Sequence, residues 1–303
     1  MIKKTAIIGM GALGLLYGNQ IQETLGRDAV SFIVDEDRYE RYKGREFTIQ
    51  GQKKDFCIEL ASECKPVDLV IVAVKYNALN SALETMKNAV GENTIIMSVM
   101  NGITSEKIIG EKYGMKNMIY SVAQGMDAMR FGDALEYTRM GELRIGVPAG
   151  CDDTCLLAVK ELFDTVRMPY TMDEDILYRM WGKFMLNVGI NQTCMMYETS
   201  YSGALEPGEA NDTLIGAMEE VIKIGNAEGI ALSEKDIEYY VNILKTLDPD
   251  GVPSMRQDSI SGRKTEVDMF AGTVIEIAEK HGIEVPVNRR IYATVKEMEK
   301  DLK

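Results

Sequence analysis

Thr5-Ala6-Ile7-Ile8-Gly9-Met10-Gly11-Ala12-Leu13-Gly14 is an apolar run that ends in G-x-G-x-x-G and opens a helical pattern from about Ala12 to Thr24. A short apolar run bounded by glycine reads as a strand buried on both faces. Each glycine has its own steric reason. Gly9 permits the tight turn, Gly11 lets the backbone approach a pyrophosphate, and Gly14 allows the helix to pack closely on the sheet. The helix N-terminus, with the backbone of Met10, Ala12 and Leu13 beside it, stabilises the anion. The competing reading is a glycine-rich turn without a ligand, but this one follows a strand and opens a helix, the context the motif requires.

The same fingerprint expects an acidic residue about 20 positions on, at the end of the second strand. Asp35 stands there, after the apolar run Ala29 to Val34. An aspartate at that point accepts hydrogen bonds from both ribose hydroxyls and repels a 2′-phosphate, which leans toward NADH. Arg38 and Arg41 follow and could instead cradle a phosphate; equally, Asp35 could be an ordinary N-cap of a helix over Asp37–Lys43.

Further along, Leu69–Val74, Thr94–Val99, Met118–Val122 and Leu143–Val147 read as strands, with a helix at about Ala78–Ala89. Apolar strands alternating with helices indicate a parallel sheet covered on both faces, an α/β doubly wound fold of Rossmann type. Glu46 to Leu60 alternates polar and apolar residues around Gly51 and reads as an inserted antiparallel pair. After Met172 the texture changes to helical periodicity over Asp173–Met196, Glu209–Ala227, Ser233–Lys245, Arg263–His281 and Asn288–Leu302, with one stretch too rich in breakers at Asp248–Ser254. The expected organisation is a dinucleotide-binding domain over 1–172 and an all-helical domain over 173–303.

Composition narrows the function. The chain has 303 residues, 46% hydrophobic and 27% charged, with a formal net charge of −13. Those proportions suit a globular protein and exclude disorder and collagen. So acidic a chain repels nucleic acid and anionic membrane surfaces, and its apolar runs are far short of a membrane span. Five scattered cysteines and no signal-like N-terminus suggest reduced thiols in a cytoplasm. Cys151 and Cys155 lack the further Cys/His pair of a zinc site, so no metal is expected. His281, the one histidine, reads as the polar end of a helix stopped by Gly282. A proton donor must then be Lys, Glu, Asp or Tyr. The 20 methionines suit adaptable helix packing, either as plain core or in a homodimer contact.

Several segments line up with one family from end to end: Ile8-Gly9-Met10-Gly11-Ala12-Leu13-Gly14, Val72-Ala73-Val74-Lys75, Asn101-Gly102, Lys183-x3-Asn187-x3-Asn191 and Ser254-x11-Glu266. On these the whole chain resembles the ketopantoate reductases (2-dehydropantoate 2-reductases). The lysine–asparagine helix and the serine–glutamate spacing are far more specific than the glycine loop. The resemblance implies reduction of 2-dehydropantoate to (R)-pantoate on the pantothenate pathway. The chain departs from the family at Asp35, where many members carry an arginine for NADPH.

Lys183, Asn187 and Asn191 fall on one stripe of a helix whose neighbours Trp181, Phe184, Leu186, Val188 and Ile190 are apolar. A buried lysine with two amides is costly unless something polar sits opposite. Such a cluster is either an interhelical hydrogen-bond knot or a site. Carbonyl reduction needs a proton donor for the developing alkoxide, a task for Lys183 with its pKa lowered by desolvation. It also needs donors for the substrate's hydroxyl and carboxylate, which Asn187 and Asn191 supply. The resemblance sets Glu266 against the Lys183 ammonium or the nicotinamide ribose, and gives the Ser254 hydroxyl and the N–H groups after it to the substrate carboxylate. Taken alone, Glu266 reads as an exposed first-turn glutamate and Ser254 as an N-cap. Lys75 and Asn101 end strands at the carboxyl edge of the sheet, where ligands bind in doubly wound folds, and read together as ribose and nicotinamide contacts.

The resulting expectation is an NAD(P)H-dependent reductase of a small 2-oxoacid, with its cleft between the two domains. Competing readings are a dehydrogenase of a 3-hydroxy acid or an opine, and a dinucleotide-sensing binding protein without turnover. A helical second domain that serves only dimerisation is a third.

Overall fold

The structure, a computed structural model, describes residues 1–302. The chain forms two compact units, the first spanning Met1–Ile176 and the second starting at Leu177.

The first unit contains β1 (Thr5–Ile8), α1 (Ala12–Leu25), β2 (Val30–Val34), α2 (Glu36–Tyr42), β3 (Phe47–Ile49), β4 (Gln52–Lys54), β5 (Cys57–Leu60) and β6 (Leu69–Val72). It continues with α3 (Leu79–Thr85), β7 (Ile95–Ser98), α4 (Ser105–Tyr113), β8 (Met118–Gln124), β9 (Met129–Phe131), β10 (Ala134–Glu136), β11 (Glu142–Gly146), α5 (Thr154–Val166) and β12 (Tyr170–Met172). The eight-stranded sheet runs in the order β12-β11-β8-β7-β6-β1-β2-β5. Its pairings are parallel except that β11 runs antiparallel to β8. Alternate side chains of β1 enter separate cores: Ile7 packs with Leu15, Phe32 and Phe163, whereas Ala6 and Ile8 pack with Val70, Leu83 and Ile109. That two-sided burial is why these strands are apolar without interruption. Strand order reverses at β1, which pairs with β2 on one side and β6 on the other, so the ligand crevice of a doubly wound sheet lies at the carboxyl end of β1.

The inserted pair is larger and differently partnered than its sequence suggests. β3 and β4 do form an antiparallel hairpin, but β5 leaves it and joins the main sheet parallel to β2. In exchange β3 pairs with β10, making a second sheet in the order β4-β3-β10-β9. Phe47, Ile49 and Leu135 of this small sheet are buried in the same core as Met10 and Leu15.

The second unit is helical: α6 (Ile176–Met196), α7 (Tyr201–Leu205), α8 (Glu209–Ala227), α9 (Glu234–Leu244), α10 (Ser254–Ile260), a π turn over Asp268–Gly272, α11 (Thr273–His281) and α12 (Pro286–Met298). The helix expected from Arg263 starts only at Asp268, because Arg263 to Thr265 is drawn into side-chain bonds instead. The Arg263 side chain donates to Asp258 Oδ1 at 3.0 Å, and the Thr265 N–H and hydroxyl donate to Glu299 Oε1 at 2.7 and 2.6 Å. α6 is largely apolar outside its polar stripe, with Phe184, Met185, Val188, Ile190 and Cys194 buried. A Cβ at Gly189 would lie 2.7 Å from Met218 Cγ of α8, so glycine sets how closely these helices approach. A carboxylate from another helix caps α12: Glu220 accepts the Val287 and Asn288 N–H groups, each at 2.8 Å. Buried Gln192 adds a second tie, accepting the Ala271 N–H of the π turn at 2.8 Å. No helix among the described residues is long and apolar enough to cross a membrane.

Candidate active site

At the glycine loop, Gly9 adopts φ +111°, a conformation that favours glycine, and a Cβ there would run into the Ala73 carbonyl. A Cβ on Gly14 would strike the Gly9 carbonyl, so Gly14 closes the loop on itself. The close approach of helix to sheet is shared between Gly14, whose Cβ would also lie 3.4 Å from Ile7 Cγ2 of β1, and Gly18, whose Cβ would lie 2.5 Å from Phe32 Cζ. Gly11 is the N-cap of α1 and has no side chain with which to cap it. A Cβ on Gly11 meets nothing nearer than the Ala73 carbonyl oxygen at 3.8 Å. An uncapped helix start with open space before it fits a diphosphate, which satisfies the first-turn N–H groups.

Asp35 is the N-cap of α2. Its Oδ1 accepts the Arg38 N–H at 2.8 Å, and its Oδ2 forms an ion pair with the Arg38 guanidinium. Both features read from the sequence are therefore present in one residue pair, a carboxylate at the end of β2 and a cation bound to it. Lys75 and Asn101 lie just beyond their strands rather than ending them, since β6 stops at Val72 and β7 at Ser98. Both are exposed on loops at the carboxyl edge of the sheet, and Lys75 is the N-cap of a short 3-10 turn.

Beneath the loop that carries Asn101 lies a polar chain that sequence reasoning missed. The Ser105 hydroxyl donates to Glu106 Oε2 at 2.9 Å and lies 2.8 Å from Ser98 Oγ, which accepts the Met100 N–H at 3.4 Å. Burial raises the Glu106 pKa to about 7. A single glutamate early in a polar helix gives no sequence signal of this. A second residue missed is Arg130 of β9, whose guanidinium donates to the Met10 carbonyl inside the glycine loop.

In the second unit, α6 carries Lys183, Asn187 and Asn191 on one stripe. Both asparagines are buried, and Asn191 Nδ2 donates to Asn187 Oδ1 at 3.3 Å. Asn191 Oδ1 accepts the Ser254 hydroxyl and the Met255 N–H, each at 3.1 Å. Ser254 is the first residue of α10, and the N-cap is Pro253, so the capping carbonyl oxygen comes from another helix. Lys183 is partly covered, and desolvation lowers its pKa to about 8. Glu266 precedes the π turn rather than starting a helix, and its carbonyl accepts the Met269 and Phe270 N–H groups at 3.0 and 3.1 Å. The neighbouring Thr265–Glu299 bonds hold it in place. Chemically, α6 presents an acidified ammonium followed by two amides, a set that can protonate and hold an oxygen-rich anion.

The family model described as ketopantoate reductase PanE/ApbA matches residues 5–149, and the one described as ketopantoate reductase PanE/ApbA C terminal matches residues 175–299. The 2-dehydropantoate 2-reductase of Streptococcus pyogenes serotype M1 is 24% identical over 290 residues, 94% of each chain. Among solved structures, a D-mandelate dehydrogenase in complex with NADH superposes with a TM-score of 0.89 at 21% identity, over 99% of this chain and 100% of that one. A dimeric ketopantoate reductase from Staphylococcus aureus gives 0.80 at 20% identity, over 98% and 99%. At such identities the two structures speak for the fold alone. The family models carry more, because between them they take in both the glycine loop and the lysine–asparagine helix: this chain belongs to the ketopantoate reductase family.

Proposed function

We propose that the protein is an NAD(P)H-dependent 2-dehydropantoate 2-reductase, which reduces the 2-oxo group of 2-dehydropantoate to (R)-pantoate and so serves pantothenate and coenzyme A formation. The observation that carries this reading is the α6 stripe, a desolvated lysine one and two turns from two buried asparagines, in a chain of this family. When bound, the reduced nicotinamide supplies the hydride that C2 of the oxoacid receives. The glycine loop, Gly9 to Gly14, holds the diphosphate at the start of α1. Asp35 takes the adenosine ribose, and Lys75 and Asn101 take the ribose and amide of the nicotinamide half.

Lys183 gives its proton to the oxygen on C2 as charge develops there. A pKa of about 8 keeps the ammonium form prevalent at neutral pH while making it a better acid than an ordinary lysine. Asn187 and Asn191 donate through Nδ2 to the hydroxyl and carboxylate of the substrate. The Asn191 carbonyl is already occupied by Ser254 and Met255, so Ser254 acts on the substrate partly by fixing Asn191. Glu266 orients the Lys183 ammonium and favours its charged form. Two copies of the chain forming a homodimer fit this reading, as the S. aureus relative is dimeric.

One second reading keeps the same chemistry on an aryl 2-oxoacid, since a D-mandelate dehydrogenase shares this fold. Steady-state assays with 2-dehydropantoate, an aryl 2-oxoacid and a panel of small 2-oxoacids, each with NADH and with NADPH, separate the cases. Highest kcat/KM on 2-dehydropantoate supports the proposal, and preference for another acid transfers the same chemistry to that substrate. Dinucleotide binding without any turnover would replace the enzyme by a sensor.

A further inference from the structure

The geometry points to Arg130, on the inserted small sheet, as a positioning residue of the dinucleotide site: it locks the glycine loop through the Met10 carbonyl and sets a positive charge beside the diphosphate. The inference rests on the dinucleotide reading of that loop.

Arg130 lies on β9, more than a hundred residues from the loop in sequence, yet one guanidinium nitrogen donates to the carbonyl of Met10, between Gly9 and Gly11. Its Nε donates to the Gly132 carbonyl at 2.7 Å, which ties the guanidinium to its own hairpin. The guanidinium packs over the Tyr42 and Phe47 rings, which touch each other, with each centroid 5.8 Å from Cζ. A planar fork held by two carbonyls and resting on two rings has a fixed orientation, which lysine cannot reproduce. The charge also survives. Asp133 lies 3.4 Å from Arg130 but is shared with Arg45 at 3.2 Å, so two guanidinium groups face one carboxylate. In a chain with a net charge of −13, a net positive cluster beside an uncapped helix start is suited to an anion.

This gives the second sheet a task. The β3–β4 hairpin supplies Phe47, the β9–β10 hairpin supplies Arg130, and their pairing brings the guanidinium to the loop.

The test is direct titration of the full-length protein with NADH, NADPH and ADP-ribose, without substrate, for the wild type, Arg130→Ala and Arg130→Lys, with melting temperatures on the same preparations. The Arg130→Ala protein is expected to bind all three ligands at least tenfold more weakly. Arg130→Lys should recover part of that loss, because charge returns without the fork. A folded Arg130→Ala protein with wild-type affinity would overturn the inference, as would an Arg130→Lys protein no better than alanine. A wild type that binds none of the ligands would instead contradict the dinucleotide reading itself.

Discussion

The side-chain oxygen of Asn191 accepts the hydroxyl of Ser254 at 3.1 Å, and the Met255 N–H reaches the same atom. One carbonyl oxygen thus caps the start of α10 from the middle of α6 and ties together two residues assigned to the substrate. Asn191→Ala removes that acceptor and strands a buried N–H, a loss of about 1–3 kcal/mol. Its melting temperature should therefore fall while KM rises. Asn187→Ala should raise KM with a smaller fall in stability. Thermal melts and Michaelis curves on both variants check this; equal melting losses would make the capping role wrong.

Gly11→Val should leave the fold intact, since a Cβ there meets only the Ala73 carbonyl oxygen at 3.8 Å. It should lower dinucleotide affinity at least tenfold, about 1.4 kcal/mol, because the branched side chain fills the diphosphate's approach. Gly14→Ala should behave differently and destabilise the unit, since its Cβ collides with the Gly9 carbonyl. Cofactor titration and melting curves distinguish the two.

On the proposed reading, Asp35 and the Arg38 guanidinium paired with it pull cofactor choice in opposite directions. The carboxylate repels a 2′-phosphate, and the paired guanidinium offsets much of that, so a modest NADH preference is expected. Asp35→Arg should shift the ratio of kcat/KM values toward NADPH. It also loses the N-cap acceptor for the Arg38 N–H, at about 1 kcal/mol. A strong NADPH preference in the wild type would show that Arg38, Arg41 or another cation overrides Asp35.

Glu106 should make stability depend on pH in an unusual direction. Burial raises its pKa to about 7 from the ordinary 4.5, so between those values the folded protein keeps a proton that the unfolded chain has released. Its contribution to stability is complete below about pH 4.5 and declines as pH rises through 7, by about 3 kcal/mol at most. Urea midpoints at pH 5 and pH 8 should differ less in Glu106→Gln than in the wild type. An unchanged difference would mean that Glu106 is ionised throughout.

Where the chain speaks through local pattern, sequence and structure agree. The Thr5–Ile8 strand, the glycine loop and the helix over Glu209–Ala227 are set by periodicity and breakers within a few residues. The failures come where distant partners decide. Cys57–Leu60 looks like half of a hairpin but pairs with β2, and Arg263–Thr265 has helical texture but is taken by Asp258 and Glu299. The candidate site divides the same way. The stripe of Lys183, Asn187 and Asn191 is legible because one helix spaces them, whereas the contacts of Arg130 and Glu106 are ones that no local pattern encodes.

The central claim is that Lys183 is the general acid, and the most direct test is to measure kcat against pH beside the melting temperature for the wild type and Lys183→Ala. The wild type should lose kcat as pH rises past about 8, as the ammonium deprotonates. Lys183→Ala should lower kcat by about 10²–10⁴-fold, abolish that limb and keep dinucleotide binding. Stability should not suffer, since the alanine relieves a desolvated ammonium. Glu266→Ala should give a milder form of the same profile. A Lys183→Ala protein with a lowered melting temperature and normal kcat would contradict the account, leaving the α6 stripe a structural hydrogen-bond cluster.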